Sequence, residues 1–161
     1  MSIRASDSTL SVVVADSHRE QRDRIRDLID AQPDLRVAAM ASHREQAAEL
    51  LWRLEPDVAV IELGLLSACE HPLHGWGLIP GGVRLVALGL GEDPWLTATL
   101  RAAGFAAYVR EERLDDDLCE ALRGGRSTGR FERPAPVVAA ARGEAPRFER
   151  SAVGAGRRPV A

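Results

Sequence analysis

The chain has 161 residues, 24 acidic and 21 basic, and all 21 basic residues are arginine. With no lysine anywhere, chemistry that needs a Schiff-base lysine, a phosphate-loop lysine or a catalytic ammonium is excluded. A net charge of −3 implies no global attraction to nucleic acid, and apolar runs such as Leu10 to Ala15 and Val58 to Leu66 are too short to span a membrane.

Asparagine is also missing, and Ala, Arg and Gly are abundant, as expected of a GC-rich, bacterial coding sequence. Met1-Ser2-Ile3-Arg4 leads into polar residues and not into a signal-peptide core. Cys69 and Cys119 are unclustered, which fits a reducing cytoplasm better than a disulfide framework.

Residues 1–8 are expected to be a flexible lead. Leu10 to Ala15 is a β-branched run, predicted as a first strand that Asp16 ends. His18 to Gln32 carries Ile25, Leu28 and Ile29 on one helical face, and Pro33 stops it. Leu35 to Ala41 is a second strand. Ser42 is placed to cap the next helix, with Glu45 three residues later completing a capping box. The buried stripe of that helix is predicted as Ala47, Leu50, Leu51 and Leu54. After a Pro56-Asp57 turn, Val58 to Ile61 is a third strand, apolar throughout.

Glycines and prolines punctuate positions 64–82, so a third helix there is expected to be short or distorted. Val83 to Leu88 is a fourth strand. Pro94 opens a helix with Leu96, Leu100 and Ala103 on one face, and Gly104 ends it. Phe105 to Val109 is a fifth strand. A final helix has Asp115, Asp116 and Asp117 in its first turn, where carboxylates suit the dipole, and Leu114, Leu118 and Leu122 on its apolar face.

Apolar strands alternating with amphipathic helices predict an α/β domain, residues 9–124, with a doubly wound parallel sheet. Ligands in such sheets sit at the carboxyl ends of the strands. The residues to read for function are therefore Asp16-Ser17, Glu62 and its successors, Gly89-Leu90-Gly91 and Arg110-Glu111.

Charge divides the chain. Residues 1–124 hold 13 arginines against 21 carboxylates, and residues 125–161 hold 8 against 3. The second stretch, rich in Arg, Pro, Gly and Ala, has no sustained apolar period and is expected to be a disordered basic tail. Within it Arg130-Phe131-Glu132-Arg133 recurs as Arg147-Phe148-Glu149-Arg150.

The chain resembles a receiver domain of two-component response regulators over about residues 9–124. The resemblance is carried by Val13-Val14-Ala15-Asp16-Ser17-His18, by Glu55-Pro56-Asp57-Val58-Ala59-Val60-Ile61-Glu62-Leu63, and by Arg101-Ala102-Ala103-Gly104-Phe105-Ala106-Ala107-Tyr108. It is nearest to receivers that precede a helix-turn-helix domain. The resemblance implies a flavodoxin-like, five-stranded sheet of order 2-1-3-4-5.

It also implies a phosphoacceptor pocket, and the chain departs from that pocket at four of five positions. In the family, two acidic residues hold Mg²⁺, an Asp takes the phosphoryl group, and a hydroxyl residue and a lysine contact its oxygens. Asp16 matches the first acid. Ser17 stands at the second, Glu62 at the acceptor, Gly89 at the hydroxyl position and Glu111 at the lysine. A carboxylate has replaced the cation that phosphoryl chemistry needs, so Mg²⁺ binding and phosphorylation are expected to be lost. Asp16 and Glu62 remain as residual candidate metal ligands. Tyr108 matches the aromatic that rotates inward in the family's active state; the plainer reading is a half-buried strand tyrosine.

Cys69, His71 and His74 offer zinc-type ligands, but their spacing matches no closed site and a polar loop is the preferred reading. Gly89-x-Gly91 lacks the third glycine of a dinucleotide turn. Asp16-x-His18 is like the start of a cobalamin motif, but Gln21 stands where that motif has glycine.

The expected function is a non-enzymatic, cytoplasmic signalling or transcription-regulatory module without a cofactor. It would act through a protein partner or a homodimer, using the fourth helix, fifth strand and final helix, and would not act at a membrane. Two alternatives stand beside it: a phosphoacceptor receiver in a phosphorelay, and nucleic-acid binding through the basic tail.

Overall fold

A computed structural model of the chain describes residues 9–67, 79, 82–91 and 93–124. Five strands, β1 (Leu10–Ala15), β2 (Leu35–Ala41), β3 (Val58–Glu62), β4 (Arg84–Gly89) and β5 (Ala107–Arg110), form one parallel sheet. Their order is β2-β1-β3-β4-β5, as the resemblance implied. The helices are α1 (Arg19–Asp30), α2 (Arg44–Leu54), α3 (Leu63–Ser67), α4 (Pro94–Ala102) and α5 (Leu114–Arg123), with a 3₁₀ turn at Glu111–Arg113.

Alternation along the strands sorts the core into two layers. Val12, Val14, Val60 and Leu88 face α1 and α5, where they meet Ile25, Ile29, Leu118 and Leu122. Val13, Ile61 and Ala87 face the other way, toward Leu50 and Leu51 of α2, Leu100 of α4 and Phe105. Because both faces are covered, β1, β3 and β4 read as continuous apolar runs, which is why they were legible as strands.

Several details differ from expectation. Ser42 does not cap α2. The cap is His43, whose ring Nδ1 accepts from the Gln46 amide at 3.2 Å, while the Gln46 side chain reaches back to accept from the Ser42 amide at 3.0 Å. The capping box is thus shifted by one residue and uses Gln46 in place of Glu45. Leu54 is 41% exposed and leaves the predicted stripe, because α2 ends there and the chain turns through a left-handed Glu55 at φ 42°. The fifth strand begins at Ala107, two residues late, since the Phe105 amide still bonds back to the Leu100 carbonyl.

The short third helix is present as five residues directly after β3. The β1–β2 ladder slips between Val12 and Val13: Val12 pairs with Val37 and Val13 with Ala39, leaving Ala38 as a bulge on the edge strand. The expectations for residues 1–8, for Cys69, His71 and His74, and for the tail at 125–161 lie outside the described residues.

Candidate functional site

Two neighbouring strand ends build the site. β1 delivers Asp16 and Ser17, and β3, its partner in register, delivers Glu62. Asp16 is fully buried and Glu62 is 8% exposed. Among the described residues they are the buried charged side chains.

Glu62 is held from the β1 side. The Ser17 amide donates to Glu62 Oε2 at 2.8 Å and the Ser17 hydroxyl donates to the same oxygen at 2.7 Å. Oε1 lies over Gly64, where any β-carbon would collide with it. Asp16 Oδ1 accepts from the His18 amide at 2.7 Å. Asp16 Oδ2 is buried with no hydrogen-bond partner. Burial pushes the Asp16 carboxyl above its ordinary value of 3.8, and the nearby Glu62 carboxylate adds to that, against the pull of the His18 amide.

His18 completes the cluster. Its Nδ1 lies 3.4 Å from Asp16 Oδ1, 3.8 Å from Glu62 Oε1 and 3.2 Å from the Ser17 hydroxyl oxygen. Sequence reasoning did not count His18 or Gly64 as part of the site. The Asp16-x-His18 spacing was the available signal for the first. For the second there was none, since the carboxylate's rotamer decides it.

Gly89 ends β4 opposite Arg110. A β-carbon at Gly89 would run into the Leu63 side chain, which takes the space that a hydroxyl residue would need. Glu111 opens the 3₁₀ turn after β5, and no hydrogen bond or ion pair among the described residues joins it to Asp16, Ser17 or Glu62. Arg110 bonds Glu112 at 2.8 Å. Tyr108 is buried, not half-buried: it is 6% exposed, and its hydroxyl donates to the Gly91 carbonyl at 2.8 Å. The structure therefore brings Asp16, Ser17 and Glu62 together and stacks Gly89 against Leu63. It leaves Glu111 out of that network.

The remaining candidates have structural partners. Asp115 pairs with Arg24 at 2.5 Å, and Asp116 and Asp117 pair with Arg113 at 3.6 and 3.3 Å, so all three aspartates in α5's first turn are tied to arginines. Cys119 packs half-buried against α1, 3.7 Å from the Leu28 carbonyl, and burial pushes its thiol up, away from reactivity.

Solved structures share this fold. The response regulator domain of Thermotoga maritima CheB superposes with a TM-score of 0.62 at 22% identity, covering 71% of this chain and 94% of that one. The isolated REC domain of RcsB from Salmonella enterica serovar Typhimurium, in the presence of phosphomimetic beryllofluoride, gives 0.65 at 15% identity, covering 77% and 93%. The fold is that of response-regulator receiver domains. By sequence, the receiver-type chain is 21% identical over 136 residues to the transcriptional regulatory protein DegU of Brevibacillus brevis, a match covering 83% of this chain. It spans 57% of that regulator's length. No family model matches the chain.

Receiver folds imply Mg²⁺, and this donor set does not fit it. Mg²⁺ wants hard oxygens in a near-octahedral shell at about 2.0–2.1 Å. Here Ser17 stands where the resemblance calls for a second carboxylate and turns both its donors onto Glu62, and a ring nitrogen stands at the mouth.

No helix among the described residues is long and apolar enough to cross a membrane.

Proposed function

We propose that this receiver-type domain is a regulatory signalling module that works by protein association and takes no phosphoryl group. The observation that carries the reading is the pairing of Ser17 with Glu62. The carboxylate at the acceptor position accepts two hydrogen bonds from the residue that would otherwise help hold a cation. Phosphoryl transfer needs positive charge around the equatorial oxygens. Gly89, backed by Leu63, supplies no hydroxyl, and Glu111 supplies the wrong sign. The likeness to a transcriptional regulatory protein supports a regulatory role.

The association surface in this proposal is α4, β5 and α5. Trp95 at the start of α4 is 73% exposed and Leu90 just before it is 77% exposed, an apolar pair that a partner would cover. Tyr108 is already buried on that side, so the face is set in one state without a covalent signal.

The test is NMR on the isotope-labelled full chain with beryllofluoride and Mg²⁺. The resonances of Asp16, Ser17, Glu62 and Tyr108 are expected to stay in place. Specific shifts at those residues would establish the phosphoacceptor alternative instead. A strictly monomeric chain that captures no partner, with or without Trp95→Ala, would remove the association half of the proposal.

A further inference from the structure

We infer that the cavity at the amino ends of β1, β3 and β4 binds a small aliphatic carboxylate, a single negative charge on a short hydrocarbon body. The cavity lies at the opposite end of the sheet from Asp16 and Glu62. Val58, which lines it, and Glu62 are the two ends of β3, about 13 Å apart at the rise of a strand.

Size and walls set the body of the ligand. The cavity has a volume of about 350 Å³, at the small end of the range of about 300–1,000 Å³ in which ligand pockets fall. Leu10, Val58, Leu85, Phe105 and Leu122 make much of the lining apolar. Gly82 and Gly104 line it too, and a β-carbon at either would meet open space, so the chain leaves room there.

Arg84 sets the head group. It is half-buried at the first position of β4. Among the described residues its guanidinium makes one hydrogen bond, a long one of 3.4 Å to the Leu122 carbonyl, and pairs with no carboxylate. Arg123, in the same lining, is the contrast. Its guanidinium is spent on Asp34 at 2.6 Å and on Gln32 at 2.7 Å. A half-buried guanidinium without a counter-charge is costly, and its planar fork matches the two oxygens of a carboxylate. An anion in the cavity would supply the partner that the described residues do not.

Asp57 limits the charge. It lines the same cavity, its Oδ2 is taken by the Ser11 amide and hydroxyl, and it forms no ion pair with Arg84. One unpaired cation matches one negative charge, and the fixed charge of Asp57 beside it repels a second. A carboxylate meets that condition and a phosphate dianion does not.

The experiment is an NMR titration of the isotope-labelled full chain with isocaproate, with its uncharged isostere isocaproamide, and with inorganic phosphate, following the amides of Gly82, Arg84, Gly104 and Ala106. Isocaproate is expected to give saturable shifts at these amides. Isocaproamide should bind about tenfold more weakly or worse, and phosphate should leave the amides in place. Arg84→Gln, with circular dichroism to check its fold, should weaken isocaproate about tenfold or more. The isocaproamide arm uses the unaltered chain and needs no variant to fold. Four results each overturn the inference: no saturable shift with isocaproate, equal affinity for isocaproamide, the same shifts from phosphate, or an isocaproate affinity unchanged in a folded Arg84→Gln.

Discussion

β1 and β3 are fastened at both ends by the same device. At the amino end, the Ser11 amide and hydroxyl donate to Asp57 Oδ2 at 2.8 and 2.7 Å. At the carboxyl end, the Ser17 amide and hydroxyl donate to Glu62 Oε2 at 2.8 and 2.7 Å. The first pair is exposed and purely structural. The Asp57 amide even donates back to the Ser11 hydroxyl at 3.1 Å. The second pair is part-buried and lies at the carboxyl ends of the strands, where the resemblance places the phosphoacceptor pocket. The comparison teaches that Glu62 has been given the bonding of a turn carboxylate. The buried, unsatisfied Asp16 Oδ2 marks how the two ends still differ.

The largest expected effect comes from placing a side chain at Gly89, where the resemblance calls for a hydroxyl residue. Gly89→Thr drives a β-carbon into Leu63 and should cost about 3 kcal/mol, the upper end of overpacking losses, in urea unfolding. Adding Leu63→Ala should make the double variant lose less than the sum of the singles, since the two side chains contest one space. A neutral Gly89→Thr would mean that Leu63 yields and the site end is adaptable.

Next come the serines. Ser17→Ala should cost about 1.5–2 kcal/mol, because a hydrogen bond to a mostly buried carboxylate is lost, and Ser11→Ala about 0.5–1 kcal/mol at the exposed end. Equal losses would say that burial does not separate the two ends. Tyr108→Phe removes the bond to the Gly91 carbonyl and should cost about 1 kcal/mol. With the site uncoupled from it, the cost should be the same in wild type and in Ser17→Ala.

The smallest effect is in pH. Hydrogen bonds from the Ser11 amide and then its hydroxyl hold Asp57 below its ordinary 3.8. A carboxyl depressed by folding binds its proton more readily when unfolded, so its contribution is complete above 3.8 and fades as pH falls through the folded value. Asp57→Asn should therefore lower the melting temperature at neutral pH and flatten its decline in acid, with the two curves converging below pH 3.8.

The sheet was legible because its strands are buried on both faces and spell apolar runs; the order of strands came from the resemblance and not from the runs. Asp16, Ser17 and Glu62 were legible as strand-end residues that would meet. Their bonding was not. Ser17 and Glu62 lie 45 residues apart, and only the β1–β3 register shows that two donors of one fall on a single oxygen of the other. The filling of Gly89's space by Leu63 was hidden for the same reason, since a glycine in sequence looks like an absence and not like a packed contact. His43 as a cap went unseen because an imidazole nitrogen does the work ordinarily given to a hydroxyl. Leu54 misled because periodicity continues past the point where the helix ends.

The bulge at Ala38 has a consequence for how copies of this chain meet. β2 is an edge strand, and an edge with an unbroken ladder is a template for another strand. The extra residue opposite the Val12–Val13 step breaks the repeat in mid-strand, so an incoming segment that matches the first half falls out of step with the second. Extension of the sheet by a further strand is therefore disfavoured on that side. A strand that approaches β2 meets two short half-ladders and not one continuous row of main-chain donors and acceptors.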